Sequence, residues 1–254
     1  MKSARSKAII LLICFSTLFI GCAGNRELII KKARAKEDLG NSLIQQGQMR
    51  AGLKHLIDAV ELDPENADLH QNLALVYRDL EEYQLSLTHF QKAVALRPEF
   101  SEALNNMGTV YLLLGKWDLA IECFQKAVNS ITYTTPHFAY NNLGLAFYHK
   151  GEYQNAIDQY KKALKSAPSF SLAYFNLART YESTEKWGFA VDTYKKAISY
   201  DPKYAAAHFG LGRLLLKLNR NSEAGDELRK TVEIQPAGPL AEQAKKLLKT
   251  LVGP

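Results

Sequence analysis

The sequence predicts an all-α protein in which one helical hairpin is repeated six times and stacked. Three observations carry this: prolines fall on a ruler of about 34 residues, small residues recur at three places of each period, and large apolar or aromatic residues recur at three others. The composition is that of a folded chain. Of 254 residues 47% are hydrophobic and 23% charged, with 15 Gly and 8 Pro, which excludes a disordered, collagen-like or polytopic membrane protein.

The first element, 1–21, reads as a leader outside the fold. Lys2, Arg5 and Lys7 precede a run from Ala8 to Ile20 in which only Ser16 and Thr17 are polar, the n- and h-regions of a secretory signal peptide. The run is short for a membrane span, which needs about 20 apolar residues. It ends in Leu18-Phe19-Ile20-Gly21-Cys22, which resembles the lipobox of bacterial lipoproteins, with Phe19 where that family usually has Leu. The resemblance implies cleavage before Cys22 and diacylation of that cysteine. Ala23, in place of the Asp that retains enterobacterial lipoproteins in the inner membrane, implies sorting to the outer membrane, facing the periplasm. Residues 22–32 would then be a tether. Removing the three leader cations lowers the formal charge from +6 to +3, too little to argue for nucleic acid. Cys123 alone is left in the folded part, a semi-buried apolar residue with no thiol to pair with.

The repeats follow over 33–238. Pro64, Pro98, Pro136, Pro168, Pro202 and Pro236 are spaced 34, 38, 32, 34 and 34 residues apart, and a two-residue insertion near 131–136 explains both odd values. The units are 33–66, 67–100, 101–136, 137–170, 171–204 and 205–238. Place eight holds Gly40, Ala74, Gly108, Gly144, Ala178 and Gly212. Place twenty holds Gly52, Ser86, Ala120, Ala156, Ala190 and Ala224, and place twenty-seven Ala59, Ala93, Ala127, Ala163, Ala197 and Thr231. Large residues stand at place seven (Leu39, Leu73, Met107, Leu143, Leu177, Leu211), place eleven (Leu43, Tyr77, Tyr111, Phe147, Tyr181, Leu215) and place twenty-four (Leu56, Phe90, Phe124, Tyr160, Tyr194, Leu228). Places seven and eleven share a helix face. Small residues at eight and twenty let two antiparallel helices approach, large ones fill the space between hairpins, and Pro stops the second helix.

This pattern resembles the tetratricopeptide repeat, whose period is 34 residues. The resemblance implies a right-handed superhelix with a continuous core, because a single hairpin cannot bury its own apolar face. The end units depart as caps should: Lys36 replaces an apolar residue in the first, and Asn219 and Asn221 replace Gly and an aromatic in the last. The stretch 239–254 opens with a helix over Pro239–Leu251 that covers the final hairpin.

No catalytic, cofactor or metal constellation is present in the sequence. Its six His include no His-Glu-x-x-His and no pair at metal-binding spacing with a carboxylate, and Gly210-Leu-Gly212 lacks the third glycine of a phosphate loop. A non-enzymatic protein-binding scaffold with no small-molecule substrate is expected. In this repeat class the groove is lined by places two, five, nine, twelve and thirteen of the first helices. From the third unit on these turn apolar, at Leu112, Phe138, Leu145, Tyr148, Leu172, Phe175, Phe209 and Leu216, a candidate partner surface; curling of the stack against itself is the alternative. Place six holds Asn72, Asn106, Asn142 and Asn176, a ladder able to read the backbone of a bound peptide or simply the consensus residue. Place five holds Gln71, Asn105, Asn141, Phe175 and Phe209 rather than cations, which disfavours an acidic chaperone tail. Trp117, Trp187, Tyr83 and Tyr153, at place seventeen, read as scaffolding.

The stretched junction Asn129–Pro136, the repeat count, the lipobox and the 233 residues left after the leader together are similar to the type IV pilus pilotins, although Tyr133 and Pro136, adjacent in that family, are separated here by two Thr. This resemblance implies an outer-membrane lipoprotein that binds secretin subunits and promotes their assembly. The other reading is a general envelope scaffold that docks peptidoglycan enzymes or other envelope proteins.

Overall fold

The computed structural model describes residues 26–252, so the leader and Cys22 lie outside the described residues. Among the described residues there are thirteen helices and no strand. They are α1 (26–45), α2 (Met49–Leu62), α3 (Ala67–Asp79), α4 (Tyr83–Leu96), α5 (Ser101–Leu113), α6 (Trp117–Asn129) and α7 (Pro136–His149). Then follow α8 (Tyr153–Ser166), α9 (Ser171–Ser183), α10 (Trp187–Tyr200), α11 (Ala205–Lys217), α12 (Asn221–Ile234) and α13 (Pro239–Val252). None is long and apolar enough to cross a membrane. The chain divides into two compact units, Met1–Val110 and Tyr111–Pro254.

Within the first unit α3 packs on α4 and α2 on α3. The two helices of the first hairpin touch backbone to backbone: a Cβ on Gly52 would stand 2.6 Å from the Gly40 carbonyl oxygen, and one on Gly40 3.0 Å from that of Gly52. No larger residue fits there. Leu56 and Phe90 fill the space beside such contacts and are fully buried. Two expectations change here. The segment read as a tether is helical from 26, because it contains no Gly or Pro between Arg26 and Lys32 and its Glu27 pairs with Lys31 one turn on at 2.8 Å. Leu39, expected between hairpins like the other residues at place seven, is 47% exposed, since it lies on the outer face of the first hairpin. Lys36, the polar departure at this end, ties α1 to α2 through Asp58 at 2.7 Å.

Within the second unit consecutive helices pack in order from α6 to α13, and α7–α9, α9–α11 and α11–α13 touch as next neighbours. Phe124, Tyr160, Tyr194 and Leu228, all at place twenty-four, are fully buried, and so is every small residue at places eight, twenty and twenty-seven in both units. Burying side chains of this size contributes roughly 1.5–3 kcal/mol each, so the repeat spacing is a spacing of core contacts. Cys123 is buried and unpaired, and burial pushes its thiol up to about 12. It is inert apolar filling, as its lone position implies. Helix α13 buries Ala241 and Ala244 and packs on α11 and α12.

Place fifteen of all six hairpins takes a left-handed conformation: Gly47, Glu81, Gly115, Gly151, Glu185 and Asn219. The following N–H reaches back to the carbonyl at place eleven, as from Lys116 to Tyr111 at 2.9 Å and from Arg220 to Leu215 at 2.9 Å, the Schellman closure of a helix end. Asn219 therefore keeps the usual turn rather than breaking it. The third junction differs from expectation in one respect. Pro136 does not stop the second helix of its unit; α6 ends at Asn129, and Pro136 opens α7, where a missing N–H costs nothing. The two extra residues are absorbed in the loop between.

Candidate partner-binding surface

The residues expected to line the groove fall into three groups in the structure. Phe138 and Leu172, at the first turns of α7 and α9, are open apolar side chains, 45% and 38% exposed. Phe138 lies edge-on to Phe170, with ring centroids 5.4 Å apart. Leu112, Leu145, Tyr148, Phe175, Phe209 and Leu216 are half-buried. Phe175 packs on the rings of Tyr194 and Tyr204, and Leu216 on the core formed by α9 to α12, so these two are in part filling between neighbouring hairpins.

The asparagines at place six are the third group, and two of them, Asn72 and Asn176, are engaged by the preceding hairpin. Asn176 is only 5% exposed and its amide donates to Asn141 Oδ1 at 2.9 Å, while Asn141, 2% exposed, donates to Asn142 Oδ1 at 3.3 Å. Asn72 donates to Glu37 Oε1 at 2.6 Å in the first unit, the same step from place six to place five of the preceding hairpin. Asn106 is half-buried on the corresponding face. A buried amide needs partners for its donor and its acceptor, and Asn72 and Asn176 find one across to the preceding hairpin, which braces the stack at these two places.

Sequence reasoning missed a cluster on the first helices of the last three hairpins and the start of α10. Tyr148, Arg179, Glu182, Ser183, Trp187, Arg213 and Lys217 enclose a cavity of about 270 Å³. Arg179 and Arg213 stand at place nine and Lys217 at place thirteen, positions already assigned to the groove; choosing only apolar side chains there passed them over. The Arg179 guanidinium lies 5.1 Å from the Tyr148 ring centroid and 5.7 Å from that of Phe175. The Lys217 ammonium lies 3.8 Å above the Trp187 ring, so Trp187, expected as scaffolding, also lines this cavity. Glu182 is the one acid, and both its oxygens are engaged: Tyr194 donates to Oε1 at 2.6 Å and Arg213 to Oε2 at 2.8 Å. Burial, with Glu182 adding to it, raises the Tyr194 phenol far above its ordinary value, so it remains a donor. Tyr148 and Ser183 hydroxyls pair at 3.1 Å across the two hairpins. Among the described residues no group of three or more His, Cys, Asp and Glu is placed to hold a metal ion.

Comparison with known proteins agrees with the repeat reading. Tetratricopeptide repeat profiles match residues 65–130, 99–169 and 175–239, and the chain belongs to the tetratricopeptide repeat family, whose members present surfaces for binding other proteins. No curated protein matches the sequence significantly. Among solved structures the chain is similar to PilW, described as a widely conserved type IV pilus biogenesis factor, with a TM-score of 0.76 and 23% identity over 87% of this chain and 98% of that one. It is similar also to PilF of Pseudomonas aeruginosa, with a TM-score of 0.73 and 20% identity over 87% and 99%. YrrB, described as having an unusual peptide-binding site, matches with a TM-score of 0.55 and 22% identity over 75% of this chain and 97% of that one. At these identities the likeness is one of fold.

Proposed function

We propose that this protein is a non-enzymatic pilotin: an outer-membrane lipoprotein, acylated at Cys22, that captures secretin subunits and promotes their assembly in type IV pilus biogenesis. The observation that carries the reading is the match to PilW and PilF, which takes in nearly the whole of those chains and 87% of this one. The lipobox-like Leu18–Cys22 supports it independently. The chemistry is physical. Two acyl chains give stable anchoring, and a tethered repeat surface raises the local concentration of any subunit it holds. The open apolar pair Phe138 and Leu172 is the surface best suited to an exposed apolar segment of a secretin monomer.

The test is a pull-down from detergent-solubilised envelopes with Cys22 intact, identified by mass spectrometry. A secretin as dominant partner, lost in the Phe138→Ser/Leu172→Ser variant, is expected. Cell-wall hydrolases without secretin would replace this reading with that of a general envelope scaffold. This pair is preferred to Phe175 and Phe209 as a probe, because Phe175 packs on Tyr194 and Tyr204 and its removal disturbs the stack itself.

A further inference from the structure

The cavity on α7, α9, α11 and the start of α10 holds three cations and one acid, and the acid is already spent. Glu182 is bound by Tyr194 and Arg213, which leaves Arg179 and Lys217 facing only aromatic rings. Among the described residues neither comes within ion-pair distance of a carboxylate. Two cations lining one cavity in excess of its single acid leave it net positive, which favours an anion bound there. The rings of Tyr148 and Trp187 hold the two cations in place, so little side-chain freedom is lost when a ligand arrives.

The size of the cavity speaks to what that anion is attached to. About 270 Å³ is several times the share of one liquid water, roughly 30 Å³. It has room for a carboxylate side chain together with the backbone on either side. At its wall Ser183 donates to the Arg179 carbonyl and Tyr148 to Ser183, which leaves the hydroxyl oxygens as acceptors for a backbone N–H. The cations stand at places nine and thirteen, not at place five, so this is not the arrangement the sequence disfavoured.

We infer that this cavity is a subsite for an acidic segment of a protein partner, with an Asp or Glu carboxylate bound between Arg179 and Lys217. The inference deepens the scaffold reading and rests on it for the existence of a partner: the apolar pair Phe138 and Leu172 holds apolar side chains, and this cavity selects segments that also carry an acid. Salt weakens such a contact, because the pair is only partly shielded from solvent.

The test uses the full lipidated chain in neutral detergent and a fluorescein-labelled ten-residue peptide alternating Glu and Leu, with the Gln–Leu counterpart as control, followed by anisotropy. The Glu peptide is expected to bind at least about tenfold more tightly than the Gln peptide at low salt. The Arg179→Gln/Lys217→Gln variant is expected to lose that preference, and so is Lys217→Gln alone, a substitution at an exposed side chain. Equal binding of the two peptides, or an unchanged preference in both variants, would overturn the inference. Displacement of the Glu peptide by an equal concentration of inorganic phosphate would assign the cavity to a free anion and overturn it too. The probe contains no secretin sequence, so this result is independent of whether a secretin is recovered from envelopes.

Discussion

Replacing Asn176 by Ala separates the two roles open to the asparagines at place six. In the structure Asn176 and Asn141 are both buried and joined by one bond of 2.9 Å. The Ala variant removes that donor and leaves Asn141 Oδ1 without a partner in the interior. Stranding a buried polar group costs about 1–3 kcal/mol, and the lost side-chain packing adds to it, so a destabilisation of about 2–3 kcal/mol is expected. Asn141→Ala should cost a similar amount. The double variant should cost less than the sum by about 1–2 kcal/mol, since the second substitution removes a group that the first has already stranded. The assay is urea unfolding read by circular dichroism, with hydrogen exchange over α7 and α9, because a stack of repeats need not unfold in one step. A cost below about 0.5 kcal/mol for Asn176→Ala, or additive costs in the cycle, would refute the bracing role; loss of partner capture at unchanged stability would favour peptide reading.

Two further predictions follow from named geometry. His70 Nε2 donates to the Pro64 carbonyl at 3.0 Å, so its Nδ1 accepts from His89 at 2.9 Å, and burial holds both imidazoles below their ordinary value. His208 is shifted the other way, because its bonds to Glu227 and the Pro202 carbonyl outweigh the effect of burial. A lowered histidine contributes stability that is present above its unfolded pKa and is lost as pH falls below it; a raised one contributes stability that is present at low pH and is lost as pH rises through its folded value. Between pH 8 and pH 5 the amides of α3 and α4 should therefore lose protection from hydrogen exchange while those of α11 and α12 gain it, and a change of the same sign in both would contradict the assignment. At the hairpin turns, Glu185→Gly should raise stability by about 0.5–1 kcal/mol and Gly151→Ala should lower it by about 1 kcal/mol, because the left-handed backbone penalises any Cβ while nothing lies within 4 Å of the one added at 151. Shifts in the urea midpoint check both, and no gain from Glu185→Gly would show that the turn strain is relieved elsewhere.

The hairpin count was legible in the sequence because each repeat uses the same solution to the same packing problem. A residue at place eight or twenty must be small wherever two helices cross, and the large one at place twenty-four must fill the gap beside it, so the 34-residue ruler reports contacts directly. Leu39 shows where the ruler stops being enough: identical in kind to Leu73 or Leu143, it is exposed because burial at place seven needs a hairpin on that side. Pro136 shows the same for loops, since one proline serves equally to follow one helix or to start the next.

The partner surface was less legible. The place count named the positions facing the groove, yet it did not decide which of them remain open. Asn176 and Phe175 are turned to internal use by neighbours that lie far off in sequence, Asn141 at one and Tyr194 and Tyr204 at the other. Arg179 and Lys217 become a site only because Glu182 is taken by Tyr194 and Arg213, a balance of charge between two hairpins that no single repeat contains. By itself, then, the sequence determined the helical hairpin, its repetition and the core it buries, since these depend on local periodicity. Which side chains are left for a partner was decided by the tertiary structure, since exposure and unpaired charge are properties of what packs alongside.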